Sequence, residues 1–261
     1  MINIQNMNIA GQPIGSNHKP YIIAEMSANH NGSIDRAFKI IDEAKKAGAD
    51  AVKLQTYTPD TITLNCDKED FQITDGLWKG QTLYELYKDA HMPWDWHKPL
   101  FEHAREIDIT IFSSPFDESA VDLLEDLNAP AYKIASFETV DLRLIDYVAR
   151  TGKPMIISTG MASEDEIREA VDTARAGGCS ELALLTCVSS YPAMPSDYNL
   201  SRIVDMRERF QTVVGLSDHT LDNTCAIASI TLGGCIIEKH FTLDRKGCLL
   251  YTSPSPRDLY Q

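Results

Sequence analysis

The chain has 261 residues, of which 43% are hydrophobic, 8% aromatic and 24% charged, and carries a formal net charge of −14 at pH 7. This composition excludes disordered and fibrous classes, and the acidic balance argues against nucleic acid and anionic membrane surfaces as partners. No apolar run approaches the roughly 20 residues needed to cross a bilayer, and the start lacks a charged segment followed by an apolar core, so a cytoplasmic protein is expected.

Taken in chain order, short β-branched runs predict strands at YIIAEMS from Tyr21, AVKLQTY from Ala51, ITIFSSPF from Ile109 and AYKIAS from Ala131. The series continues with PMIISTG from Pro154, LALLTCV from Leu182, TVVGLSD from Thr212 and CIIEKHF from Cys235, eight in all. Apolar residues at helical spacing lie between them: Ile34, Phe38, Ile41 and Ala44; Ala120, Leu123, Leu124 and Leu127; Ile167, Val171 and Ala174. Ser33, Ser163 and Asp222 are placed to cap helices, and Gly48, Gly152 and Gly177 fall where helices should end. The long connection from Tyr57 to Asp108 reads as a loop over the strand C-termini followed by the helix that completes its unit. The six cysteines form no C-x-x-C pair and lie mostly in apolar stretches, which favours reduced, buried thiols over disulfides or a thiolate metal site.

Near-continuous apolar strands alternating with helices imply parallel pairing with the helices outside, and this number of units points to a (β/α)₈ TIM barrel. A doubly wound sheet would want a Gly-rich phosphate fingerprint after its first strand, and none is present.

In such a barrel the site lies where strands end. Alternation along each strand puts Glu25 and Ser27, Lys53 and Gln55, Lys133, Ser158, Ser217 and His219, and Glu238 and His240 on inward faces. Charge there is costly unless it meets other charge, a metal or a ligand. Each residue also has a plainer reading: Lys53 as a structural bridge to Glu25 or Glu238, His219 as a hydrogen-bonded histidine, each serine as a helix cap. Together, Lys53 and Lys133 with Ser114, Ser136, Ser158 and Ser217 suggest a cradle for a small phosphorylated anion. His219 and His240, ending neighbouring strands, suit one divalent ion.

The ordered motifs IAEMSANHNG, DAVKLQTY, SSPFD, YKIASFE, ISTGM, SSYPA, GLSDHT and IEKHFTLD resemble the sialic acid synthase family of phosphoenolpyruvate-condensing barrels, from about Tyr21 to Asp244. Within that family QTYTPDTITLN, DKEDF, GLW and LYELY are most similar to its pseudaminic acid branch. The resemblance implies a C–C bond-forming transferase that condenses phosphoenolpyruvate with an open-chain amino sugar, here a 2,4-diacetamido-2,4,6-trideoxy hexose of altrose type, releasing phosphate. It implies that His219 and His240 hold a divalent ion, Mn2+ with Mg2+ or Co2+ as alternatives. Lys53, Ser114, Lys133, Ser136, Ser158, Ser189 and Ser217 would grip phosphoenolpyruvate, with Glu25 as the acid or base acting on the added water. Gln55, Glu138 and Tyr191 would lie near the sugar, and Asn29 and Glu238 beside the metal or its waters. A homodimer is implied for full-length members.

Family members continue past the eighth strand with a last barrel helix and a small antifreeze-like domain. Here the synthase barrel is expected over 1–245, without that helix and domain, and 246–261 (KGCLLYTSPSPRDLYQ) reads as a foreign, disordered tail. The outer faces of the first and eighth strands, including Ile22 and Ile237, would then lack cover. Other readings stay open: a neuraminate or legionaminate synthase acting on another amino sugar, an incompetent fragment, and a Schiff-base aldolase using Lys133.

Overall fold

A computed structural model describes residues 6–74 and 78–245. The chain opens with a hairpin that the strand pattern did not anticipate, β1 (Met7–Ile9) and β2 (Gln12–Ile14). Its two-residue turn places Ala10 at φ 51° and Gly11 at φ 83°. Positive φ at both turn positions matches the twist of a tight hairpin, and glycine takes such a conformation without strain.

The eight expected strands all form: β3 (Tyr21–Glu25), β4 (Ala51–Thr56), β5 (Thr110–Pro115), β6 (Tyr132–Ile134), β7 (Met155–Ser158), β8 (Leu182–Cys187), β9 (Val213–Asp218) and β10 (Ile236–His240). They close into one barrel in the order β10-β3-β4-β5-β6-β7-β8-β9, every neighbour parallel. Outside lie α1 (Ile34–Lys46), α2 (Pro59–Ile62), α3 (Leu83–Ala90), α4 (Trp94–Glu106), α5 (Glu118–Asp126), α6 (Leu142–Ala149), α7 (Glu164–Ala176), α8 (Arg202–Phe210) and α9 (Thr224–Thr231). The long β4–β5 connection therefore carries α2 and α3 before α4 completes the unit.

Local signals account for most boundaries. The Ser33 hydroxyl accepts from the Arg36 N–H, and Ser163 forms a reciprocal capping box with Glu166. The third expected cap shifts by one residue: Asn223 occupies the cap position of α9, while the Asp222 carboxylate accepts the Thr224 N–H at 2.9 Å.

Two apolar layers result. Between barrel and helices pack Val52, Leu54, Ile111 and Ile134 with Ile40, Ile41, Leu100, Phe101, Leu124, Ile145 and Val148. Inside the barrel, the hairpin's Met7, Ile9 and Ile14 plug the N-terminal end against Tyr21, Ile23, Phe112, Ile156, Leu185 and Ile236. The expectation for the outer faces holds for Ile22, which is 37% exposed, and fails for Ile237, which is 4% exposed. Ile237 is covered because Cys225 and Ala226 of α9 and Leu216 of β9 pack over it. The expected lack of a last helix and the reading of 246–261 lie outside the described residues. Among those described, no helix is long and apolar enough to cross a membrane, and Cys66, Cys179, Cys187, Cys225 and Cys235 are free thiols.

Candidate active site

On six of the eight strands an inward apolar residue is followed two positions on, towards the C-terminal tip, by a polar one. Ile23 is followed two residues on by Glu25, Ala51 by Lys53, Phe112 by Ser114, Ala131 by Lys133, Ile156 by Ser158 and Ile236 by Glu238. The four charged side chains of this layer are buried and meet one another. Lys53 Nζ lies 2.5 Å from Glu25 Oε2 and 3.7 Å from Glu238 Oε2, and Lys133 Nζ lies 3.7 Å from Glu238 Oε1. Hydroxyls complete the layer: Lys53 donates to Ser114 Oγ at 3.2 Å, Lys133 to Ser158 Oγ at 2.7 Å, and Ser217 to Glu238 Oε1 at 3.1 Å. Two ammonium groups facing two carboxylates make the burial tolerable, so the structural-bridge reading of Lys53 and the functional reading describe the same contacts.

The two carboxylates are not equivalent. Burial lifts Glu25 to about 7, against the pull of Lys53 and with the push of Glu238. Burial also acts on Glu238, but Lys133, Lys53 and the Ser217 hydroxyl outweigh it and hold that group below its ordinary value. Glu25 is thus the carboxyl that exchanges a proton near neutrality while Glu238 stays ionised, a division of roles suited to acid–base work. Burial lowers Lys133, whereas Glu238 and Glu25 overcome burial and raise Lys53.

Beside this layer Ser189 Oγ donates to Ser136 Oγ at 3.4 Å. Gly160 faces the same spot: a Cβ there would stand 2.8 Å from Ser136 Oγ, 3.1 Å from Ser189 Oγ and 3.1 Å from the Cys187 carbonyl. Gly160 is a candidate site residue that sequence reasoning missed, although it sits inside the ISTGM motif. Cys187 was missed as well. It pairs in register with Ser217, its Sγ lies 4.0 Å from His219 Nδ1, and burial pushes its thiol pKa up.

The histidine pair sits on the other side. The rings of His219 and His240 have centroids 5.4 Å apart, and Tyr191 covers His219 at 4.3 Å and meets His240 edge-on at 5.6 Å. His219 Nδ1 lies 2.7 Å from the Val188 carbonyl, which assigns the proton to that nitrogen and leaves Nε2 with its lone pair. Burial drives both histidines down, His240 strongly, so both are neutral imidazoles. Buried His240 Nδ1 and Glu238 Oε2 have no hydrogen-bond partner. Neutral rings with unsatisfied nitrogen fit a cation of intermediate hardness. Among the described residues no group of three or more His, Cys, Asp or Glu is gathered to hold a metal, so an ion here would draw its other ligands from water or substrate.

The remaining predicted residues surround this centre. Ser27 lies not on the strand but on the 3-10 turn Ser27–His30, because β3 ends at Glu25, and its N–H donates to Glu25 Oε1 at 3.0 Å. Asn29, buried on that turn, donates to the Phe241 carbonyl at 2.9 Å, beside His240. Gln55 is half-buried at the tip of β4 opposite Ser114. Glu138 lies on the turn Phe137–Val140 with Oε2 buried and unpartnered, and burial lifts it to about 7.

A family model, the NeuB family, matches residues 40–255. The chain belongs to the NeuB family. This NeuB-family chain is 49% identical over 226 residues to the pseudaminic acid synthase of Helicobacter pylori (strain ATCC 700392 / 26695), covering 87% of the chain and 66% of that protein. It is 48% identical over 227 residues to the pseudaminic acid synthase of Campylobacter jejuni subsp. jejuni serotype O:2, again covering 87% and 66%. The chain thus spans just under two thirds of the length of these relatives. Among solved structures it is similar to the N-acetylneuraminic acid (sialic acid) synthetase from Leptospira borgpetersenii serovar Hardjo-bovis in complex with citrate. That match has a TM-score of 0.87 and 31% identity, and covers 98% of this chain and 85% of that one. The motif-based resemblance to sialic acid synthases is therefore borne out.

Proposed function

We propose that the chain is a pseudaminic acid synthase-like transferase. It would join phosphoenolpyruvate to the aldehyde of an open-chain 2,4-diacetamido-2,4,6-trideoxy hexose of altrose type, consuming water and giving a nine-carbon 2-keto sugar acid plus phosphate. The observation that carries this reading is the polar layer itself: two buried lysines with their hydroxyls on one side of the mouth and two neutral histidines on the other. It sits in a chain of net charge −14, where two buried ammonium groups mark this mouth as a place for an anionic substrate.

In this reading Lys53 and Lys133, with Ser114, Ser136, Ser158, Ser189 and Ser217, bind phosphoenolpyruvate and stabilise the charge that develops as its phosphate leaves. Glu25, titrating near neutrality, takes or returns the proton of the water that adds to the enolpyruvate carbon. Glu238 stays ionised and keeps both lysines in place. His219 and His240 would hold a divalent ion, Mn2+ or else Mg2+ or Co2+, which when bound supplies Lewis-acid polarisation of the aldehyde. Gln55, Glu138 and Tyr191 orient the sugar, and Asn29 lies beside the ion or its waters. The proposal includes a homodimer for the full-length protein and a cytoplasmic location, in keeping with the free thiols.

The test is phosphate release from phosphoenolpyruvate with a panel of amino sugars and divalent ions, using this chain and a version extended to its relatives' length. Release that requires the 2,4-diacetamido sugar and a divalent ion supports the proposal. Preference for another amino sugar would reassign the chain to a neuraminate or legionaminate synthase. Borohydride trapping of Lys133 with pyruvate would make it an aldolase.

A further inference from the structure

Directly behind the histidine pair, on the outer face of the barrel, lies a second polar cluster that the proposed chemistry does not use. Asp218 and Lys239 are register partners on β9 and β10, each one residue out of step with an inward-facing His219 or His240. Lys239 Nζ lies 2.8 Å from Asp218 Oδ2, with the two side chains 10% and 0% exposed, and it also donates to the Thr220 carbonyl at 2.6 Å. Asp218 Oδ1 accepts from the Thr220 N–H at 2.9 Å and its hydroxyl at 2.7 Å. One lysine from β10 therefore grips both residues that flank His219 in sequence.

The His219 backbone is held as firmly. Its N–H donates to the Tyr198 hydroxyl at 2.9 Å, which in turn donates to the Ser217 carbonyl at 3.2 Å. Its carbonyl accepts from the Ala193 N–H at 3.0 Å. A surface ion pair would contribute little, but this one is desolvated and has both carboxylate oxygens satisfied, so it defines a geometry rather than fluctuating among several.

We propose that Asp218, Lys239 and Tyr198 are positioning residues that fix the separation of the His219 and His240 imidazoles and thereby set the affinity for a divalent cation. This rests on the reading that these two histidines hold such an ion. Outer partners that orient metal ligands commonly change affinity 10- to 100-fold when removed.

The experiment titrates the full chain with Mn2+ alone, following free Mn2+ by electron paramagnetic resonance, in wild type, Asp218→Asn, Lys239→Met, the double variant and Tyr198→Phe. Urea denaturation reports folding in parallel. Asp218→Asn and Lys239→Met are expected to weaken Mn2+ binding about tenfold or more, and the double variant no more than the worse single. In the double variant urea resistance should recover, since neither charge is left alone, without recovery of Mn2+ affinity. Folded single variants with Mn2+ affinity within about twofold of wild type would overturn the inference. Should both fail to fold, Tyr198→Phe decides, since it removes one hydroxyl: several-fold weaker binding supports the inference and unchanged binding overturns it. Absence of Mn2+ binding by wild type would overturn the histidine site together with this inference, leaving sugar-dependent phosphate release as the separate test of the reaction.

Discussion

The floor and the mouth of the barrel are built from the same strands two residues apart, and they obey opposite rules. The floor is Ile23, Ala51, Phe112, Ala131, Ile156 and Ile236 under the plug of Met7, Ile9 and Ile14. The mouth is Glu25, Lys53, Ser114, Lys133, Ser158 and Glu238. Floor side chains are stabilising because they leave water, roughly 1.5 to 3 kcal/mol for a large aliphatic or aromatic group. Mouth side chains are tolerated only because each finds an opposite charge or a hydroxyl, and that mutual arrangement is what a charged substrate can use. One step along a strand therefore separates stability from chemistry.

The sharpest way to break this contrast is to truncate the floor. Phe112→Ala removes a fully buried ring and should cost about 3 to 5 kcal/mol in urea denaturation, with residual phosphoenolpyruvate affinity unchanged in the folded fraction. Equal loss of affinity would show that floor and mouth are not separable.

Acid should next distinguish the outer layer from the mouth. Burial holds His30 and His97 at about 4; His97 Nε2 is tied to Thr56 Oγ1 at 2.8 Å, and that hydroxyl to Ser113 Oγ at 2.7 Å. Both histidines bind protons more readily unfolded, near 6.5, so stability is intact above that pH and falls as pH drops from 6.5 towards 4, by roughly 3 kcal/mol for each. Glu25 has the opposite sign: raised from 4.5 to about 7, it favours the folded state fully below 4.5, and that contribution is lost as pH rises from 4.5 to 7. The two signs oppose each other between about 4.5 and 7, so relative to wild type the acid-side fall in urea midpoint should be shallower in His97→Gln and steeper in Glu25→Gln. A profile that neither His97→Gln nor Glu25→Gln alters would refute both assignments.

Within the mouth, Lys133→Met should weaken phosphoenolpyruvate binding by about 1.5 to 3 kcal/mol, tenfold or more by calorimetry. Lys53→Met should do the same and, unlike the floor variant, also leave Glu25 without its 2.5 Å partner. Adding Glu25→Gln to Lys53→Met should restore stability without restoring affinity; restored affinity would mean the charges serve only the fold. The smallest effect expected is that of Gly160→Ala, whose methyl group would crowd Ser136 and Ser189 and reduce phosphoenolpyruvate affinity a few-fold with little change in urea midpoint.

The barrel was legible because parallel strands buried on both faces are short β-branched runs, and the candidate site could be picked out because Glu25, Lys53, Lys133, Glu238, His219 and His240 interrupt those runs at their inward tips. The hairpin Met7–Ile14 was not, since three-residue strands carry too little alternation to stand out. Nor were Gly160 and Cys187: a glycine's lack of Cβ and an inward thiol acquire meaning only when Ser136, Ser189 and His219 are brought beside them. The Asp218–Lys239 pair and the His97–Thr56–Ser113 chain join residues 21, 41 and 57 positions apart, a relation that alternation within one strand does not encode.

If the lysine cradle and the histidine pair act on one reaction, disabling either must abolish both products. The most direct test follows phosphoenolpyruvate consumed with the 2,4-diacetamido sugar and Mn2+, measuring phosphate and 2-keto sugar acid together in wild type, Lys133→Met and His219→Ala of the extended protein. Equal amounts of both products are expected in wild type, with loss of both in each folded variant. Phosphate released without the sugar, or undiminished product in either variant, would contradict a shared reaction.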